Sequence, residues 1–136
     1  MRNTIIAILA LLLPLSQAAH AADATGAPAT PPAPIVFFDI AGPDAAKLHA
    51  FYAGNFGWDI DAGNLIKTPN LAGALRQDPA EKVLYIGVPD LDAAIQKVTA
   101  SGGEVVTPKI AIPAGRFVLF KDPAGNRMGL FEAKTP

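Results

Sequence analysis

The segment Lys82–Glu132 constrains the fold of this chain more than any other, because strand and helix patterns follow one another within it. Alternating apolar residues over Lys82–Val88 predict a strand that has Val83 and Tyr85 on one face and Ile86 on the other.

A helix and three more strands are predicted to follow this strand. Asp90 is placed to cap the helix, whose apolar stripe has helical spacing and consists of Leu91, Ala94, Ile95 and Val98. The pair Gly102-Gly103 ends the helix, because glycine adopts the left-handed conformation without steric cost. The later strands are predicted at Glu104–Thr107, Arg116–Phe120 and Arg127–Phe131. A reverse turn at Asp122–Asn126 joins the last two, so the order is β-α-β-β-β.

The preceding segment repeats this order in a compressed form. A strand around Val36–Ile40 is followed by a helix that Pro43-Asp44 opens and that ends near Gly57. One side of this helix is predicted to carry Ala45, Leu48, Phe51 and Tyr52. Shorter strands are predicted at Trp58–Asp61, Asn64–Lys67 and Leu71–Arg76.

The internal repeat predicts how the two halves are arranged. Aligning them matches Asp44 with Asp92 and Gly57 with Gly103. One such unit cannot cover both faces of its own sheet. We therefore predict an α+β fold in which two paired βαβββ modules form one curved mixed sheet around a cleft, with the helices on the outer face.

The beginning of the chain indicates export. Met1–Ala21 has the features of a signal peptide: Arg2 near its start, the apolar run Ile5–Leu13, and small residues at positions 19 and 21. Ala22–Pro34 is rich in alanine and proline and is predicted to be a flexible tether, leaving a domain at residues 35–134. The expected location is therefore periplasmic or secreted, with no stable membrane anchor after cleavage.

Composition limits the partners and the chemistry. Lysine and arginine total 11 against 12 aspartate and glutamate, without a basic cluster, so nucleic acid is not an expected partner. The chain has no cysteine, and His49 is the single histidine after the signal segment. Sites for zinc, iron or nickel normally gather several imidazoles, thiolates or carboxylates. We therefore expect no metal and no other cofactor.

Three pieces of the chain together resemble a known superfamily. They are AGPDAAKLHAFYAGNFGW, VLYIGVPDLDAAIQKVTASGGEV and FKDPAGNRMGLFE, which occur in the family's order and spacing. The chain resembles the glyoxalase I, bleomycin-resistance and extradiol dioxygenase superfamily, also called the vicinal oxygen chelate (VOC) superfamily. The resemblance implies paired βαβββ modules around an inward-facing cavity.

The resemblance also implies where metal ligands would stand in this chain. Members that use a metal take ligands from the first and last strand of each module. The corresponding positions are Phe37, Val83, Gly129 and one within Leu71–Ala74, and none carries a donor side chain. This departure from the family's pattern speaks against glyoxalase or dioxygenase activity.

Strand parity predicts the lining of the cleft. The side chains expected to face it, and therefore to bind a ligand, are Phe37, Asp39, Tyr85, Arg127 and Phe131. The aromatic members could equally be plain core, and Trp58 is expected to pack beneath the first helix. A carboxylate within an apolar strand is costly to bury unpaired, so Asp39 is either solvated in an open cleft or held by a partner such as Arg127.

Two functional interpretations follow, and a third is weaker. The first is a metal-independent protein that binds a small organic molecule in the cleft between the modules. The alternative is a lyase or dioxygenase-type enzyme, either metal-free with Asp39 as general base or with metal ligands not yet placed; otherwise no catalytic residue is predicted. The third is an interaction module that uses the sheet surface and the tether. Assembly into a homodimer stays open.

Overall fold

A computed structural model describes residues 30–136 of the chain. The predicted signal peptide, Met1–Ala21, and most of the predicted tether lie outside the described residues, and residues 30–34 have no regular secondary structure. The first module contains β1 (Ile35–Gly42), α1 (Ala45–Phe56), β2 (Asp59–Ile60), β3 (Leu65–Lys67) and β4 (Ala72–Gln77). The second contains β5 (Glu81–Gly87), α2 (Leu91–Ala100), β6 (Glu104–Val105), β7 (Ile110–Ile112), β8 (Gly115–Lys121) and β9 (Arg127–Ala133). No helix among the described residues is long and apolar enough to cross a membrane.

The strands of residues 30–136 form one mixed sheet. Its order is β2-β3-β4-β1-β5-β9-β8-β6, with β7 paired to β8 off this path. Each module closes on itself through a parallel pair, β1 with β4 and β5 with β9. Antiparallel pairing of β1 with β5 joins the modules. The predicted α+β fold of two paired modules around a curved mixed sheet is confirmed.

Both helices begin at an aspartate. The Asp44 side chain accepts a hydrogen bond from the Lys47 backbone N–H at 3.0 Å, and that of Asp90 accepts one from Ala93 at 2.9 Å. The helix starts therefore align Asp44 with Asp90. The sequence alignment of Asp44 with Asp92 was wrong, because Asp92 lies within the first turn of α2.

The helices cover the outer face of the sheet, as expected. The predicted stripe of α2 packs around the buried residues Leu91, Val118, Phe120 and Leu130. Leu48 and Tyr52 of α1 pack on a second cluster. Phe51 is a correction to the predicted apolar side of α1: it is 53% exposed, and its ring packs edge-on against Tyr52 and Phe56.

The strand β7 was missed at the sequence level. It is only three residues long and lies between two prolines, Pro108 and Pro113, so no strand pattern can develop there. It pairs with β8, placing Ile112 opposite Gly115. The resulting hairpin brings its turn, Pro113-Ala114, to the inner face of the sheet.

Candidate functional site

A cavity of about 640 Å³ lies against the inner face of the sheet. Both modules contribute to it, and aliphatic and aromatic side chains form most of the wall. The first module supplies Val36, Phe37, Asp39, Leu65, Ala74 and Arg76. The second supplies Tyr85, Ile112, Pro113, Ala114, Phe117 and Phe131.

The pairing of β1 with β5 brings together the two central polar side chains of this wall, Asp39 and Tyr85. Asp39 and Tyr85 are 46 positions apart in the chain, the same separation as the two helix caps, so they occupy equivalent places in the two modules. Each lies beside a small residue on the parallel neighbouring strand. Asp39 pairs with Ala74, and Tyr85 pairs with Gly129. These small residues leave room for the two larger side chains to meet.

The absence of a side chain at Gly129 has a steric cause. A Cβ atom at this position would lie 2.1 Å from Cδ1 and 2.5 Å from Cε1 of Tyr85. Contacts this short do not occur between real atoms, so the ring of Tyr85 occupies the space that any side chain at 129 would need. The glycine is therefore required by the placement of Tyr85.

The Asp39 carboxylate is 2% exposed and is held from two sides. The Tyr85 hydroxyl donates a hydrogen bond to Oδ2 at 2.7 Å. Arg76 donates from Nη2 to Oδ1 at 3.2 Å. The Arg76 Nε lies 3.0 Å from Oδ2, close enough for an ion pair, but its N–H is not aligned for a hydrogen bond. Asp39 is thus a paired, desolvated acid.

Arg76 connects Asp39 to two further carboxylates. Its Nη1 donates to Asp78 at 2.7 Å, and its Nη2 donates to Glu81 at 2.7 Å. Burial lowers the pKa of Arg76, but the hydrogen bonds and charges of Asp39 and Glu81 outweigh this and raise it. Burial, together with the hydrogen bond to Asp39, raises the pKa of Tyr85 far above its ordinary value. Tyr85 therefore stays neutral, and its hydroxyl donates a hydrogen bond to Asp39.

Four of the five residues predicted to bind a ligand line this cavity: Phe37, Asp39, Tyr85 and Phe131. The ring of Tyr85 packs edge-on against Phe37 at 5.7 Å and against Phe117 at 5.6 Å. These four residues are thereby placed on one wall, and their role in binding stays a prediction.

Arg127 lies elsewhere, and its suggested pairing with Asp39 was wrong. It begins β9 beside the start of β5, and its Nη1 lies 3.6 Å from Glu81. Arg127 is not part of the cavity wall. Arg76 holds Asp39 because it stands on β4, adjacent to β1, two residues beyond the register partner of Asp39.

Sequence reasoning missed Arg76 as a site residue. The shared strand parity of Ala72, Ala74 and Arg76 is visible in the sequence. The register that places Ala74 beside Asp39, and so puts Arg76 on the same face, is visible only in the structure. No signal pointed to the turn Pro113-Ala114, because β7 was not recognised. Trp58 does pack with α1, stacking on Tyr52 with ring centroids 5.0 Å apart.

The positions implied for metal ligands are occupied by groups that cannot coordinate a metal. Ala74 pairs with Asp39 as Gly129 pairs with Tyr85, so Ala74 is the counterpart of Gly129. It is therefore the residue within Leu71–Ala74 at which the resemblance implies a metal ligand. Phe37 and Val83 stand at the other two positions. Across residues 30–136, no group of three or more histidine, cysteine, aspartate or glutamate side chains is arranged to hold an ion. Phe37, Val83, Ala74 and Gly129 thus offer no side-chain donor at the positions that the resemblance implies.

Comparisons with known proteins identify the family. The glyoxalase-like domain family matches residues 35–131. The anthracycline biosynthesis protein DnrV of Streptomyces peucetius is 32% identical over an alignment covering 70% of this chain, and the chain spans only 45% of that relative's length.

Solved structures agree on the fold. Methylmalonyl-CoA epimerase of Mycobacterium tuberculosis superposes with a TM-score of 0.57 at 16% identity, covering 74% of this chain and 88% of its own. A glyoxalase/bleomycin resistance protein/dioxygenase superfamily member from Vibrio splendidus gives 0.56 at 11% identity, covering 74% and 98%. Residues 35–131 therefore place this chain in the glyoxalase-like domain family of the VOC superfamily.

Proposed function

We propose that this domain binds a small organic molecule in the cavity between its modules and does so without a metal ion. The observation that carries the proposal is the cavity itself. Its volume of about 640 Å³ lies within the range of about 300–1,000 Å³ that is typical of ligand pockets. Its wall is aromatic and aliphatic with one polar cluster, the composition common to such pockets.

The state of Asp39 favours binding over catalysis. A general base must lie within reach of the proton that it removes. Asp39 is only 2% exposed, its charge is paired with Arg76, and each of its carboxylate oxygens already accepts a hydrogen bond, from Tyr85 or from Arg76. Tyr85 is held neutral in the same cluster. The metal-free enzyme with Asp39 as base therefore has weaker support than a binding protein.

Location belongs to the same proposal. The features of Met1–Ala21 support a protein exported to the periplasm or beyond, where a domain without cysteine depends on its packed core alone.

Blocking the cavity should abolish binding. Ala114 lines the cavity from the exposed hairpin turn, so Ala114→Trp would place an indole in the ligand's space. We expect native mass spectrometry of protein purified from its own host to detect a bound small molecule on the wild type. The dissociation constant should rise by at least about tenfold in Ala114→Trp, a loss of about 1.4 kcal/mol of binding free energy that lowers the ligand occupancy.

The matched control is Ala111→Trp, which adds the same side chain to the same hairpin outside the cavity wall. It should bind like the wild type. Equal ligand occupancy in both variants, or the absence of any bound molecule on wild-type protein, would contradict ligand binding at this cavity.

Metal should have no effect on the purified domain. The first-strand and last-strand positions carry Phe37, Val83, Ala74 and Gly129, and groups farther out cannot replace missing ligands. Elemental analysis is expected to find no stoichiometric zinc, nickel, iron or manganese. The melting temperature should not change with chelator or micromolar metal, because an ion that does not bind the native state cannot stabilise it. About one metal per chain, with a lower melting temperature in chelator, would instead support the metal-dependent enzyme.

A further inference from the structure

We propose that the cavity selects uncharged aromatic molecules and rejects close analogues that carry a charge of either sign. The inference rests on the proposed function, because it names the chemical class of the molecule bound there. It depends on how the charges around the cavity are already paired.

Asp39 cannot serve as the anchor for a cation. It is the one carboxylate of the wall, it is 2% exposed, and it accepts hydrogen bonds from Tyr85 and Arg76. Asp78 and Glu81, the other acids around Arg76, do not line the cavity. A cationic ligand would therefore lose its hydration and find only a carboxylate whose charge is already compensated.

Arg76 is equally unavailable to an anion. Its guanidinium donates hydrogen bonds to three carboxylates: Nη1 donates to Asp78, and Nη2 donates to both Asp39 and Glu81. Its Nε is buried beside Asp39 rather than presented to the cavity. An anion in the cavity would therefore meet an arginine whose charge is already more than compensated by three carboxylates, and the net negative charge of this cluster would repel it.

The rest of the wall suits an aromatic ring. Phe37, Tyr85 and Phe117 form a series of edge-to-face contacts, and Phe131 belongs to the same inner cluster. Leu65 and Ile112, both more than two-fifths exposed, contribute apolar surface as well. An aromatic ligand could make a further edge-to-face contact with these rings, which is a favourable arrangement for aromatic pairs.

A set of naphthalenes of similar size that carry different charges tests this inference. The fluorescent probe N-phenyl-1-naphthylamine reports binding, and three competitors displace it: neutral 1-naphthalenemethanol, cationic 1-naphthylmethylamine and anionic 1-naphthoate. We expect the neutral compound to bind at least about tenfold more tightly than either charged one, since an unpaired charge is costly to desolvate. A cation or anion that binds as tightly as the alcohol overturns the inference and leaves the proposed function standing. If neither the probe nor any competitor binds, the inference fails, and the native mass spectrometry described above decides the proposed function separately.

Removing the compensating guanidinium should change the preference. In Arg76→Gln the charge of Asp39 is no longer neutralised, so we expect 1-naphthylmethylamine to gain at least about tenfold relative to 1-naphthalenemethanol. Arg116→Gln is the control: Arg116 also joins an ion-pair network, with Asp92 and Glu132, but lies outside this wall. An unchanged preference in folded Arg76→Gln contradicts the role given to Arg76. The wild-type series decides the inference even where this variant does not fold.

Discussion

Asp39→Asn is expected to lower the free energy of unfolding by about 3 kcal/mol, the lower end of the range for a broken buried ion pair. Asparagine keeps the size of aspartate but removes the charge that compensates Arg76. The substitution also replaces one carboxylate oxygen by an NH₂ group. That group would face Arg76 or Tyr85, which both donate hydrogen bonds to Asp39 in the wild type, so one of these bonds is lost. The loss stays near the lower end because Arg76 keeps Asp78 and Glu81.

The control for this change uses the same arginine. Asp78 accepts from Nη1 of Arg76 at 2.7 Å, but its side chain is about half exposed. Asp78→Asn should therefore cost no more than about 1 kcal/mol, as for other surface pairs. Urea unfolding followed by the fluorescence of Trp58, the single tryptophan, measures both variants. Equal stability losses in the two variants would show that burial does not distinguish the two carboxylates.

Local patterns in the sequence were sufficient for α2 and for the two faces of β5. Asp90 caps α2 because its side chain can reach the Ala93 N–H three residues on, a relation that sequence alone contains. Helical spacing likewise predicted the stripe around Leu91 that packs on the sheet. Strand parity separated Tyr85, on the inner face, from Ile86, on the helix side. Each of these features depends on residues a few positions apart.

The residue that pairs with Asp39 could not be predicted from patterns between residues close together in the chain. Arg76 reaches Asp39 through the parallel register of β1 and β4, a pairing between strands separated by a helix and two short strands. Arg127 was suggested as this partner because strand parity shows which face a side chain is on but not which strand lies next to β1. The cavity wall from β7 was missed for a related reason, since three residues between prolines form a strand only because β8 pairs with them.

Gly129→Ala is expected to destabilise the protein although it adds only one methyl group. The new Cβ would lie 2.1 Å from the ring of Tyr85, so the ring must move. The ring cannot move freely, because its edge contacts with Phe37 and Phe117 and its hydroxyl bond to Asp39 fix it. Overpacking of this kind costs about 1–3 kcal/mol, and loss of the hydrogen bond to a charged acceptor adds about 1.5–3 kcal/mol.

A second glycine supplies the matched control. Gly54 lies within α1, and a Cβ there would meet nothing within 4 Å. Gly54→Ala should therefore stabilise the protein by about 0.5–1 kcal/mol, the usual gain in a helix interior. The two substitutions are chemically identical and are expected to have opposite signs in the same urea experiment.

Coupling between positions 85 and 129 tests the cause directly. In a Tyr85→Leu background the ring is absent, so Gly129→Ala should cost less than in the wild type. The expected coupling energy is about 1–3 kcal/mol, as for other residues in contact. Additive costs would mean that the alanine acts through the backbone of β9 and not through the Tyr85 ring. A reduced cost would establish that Gly129 is kept free of a side chain to hold Tyr85 against Asp39.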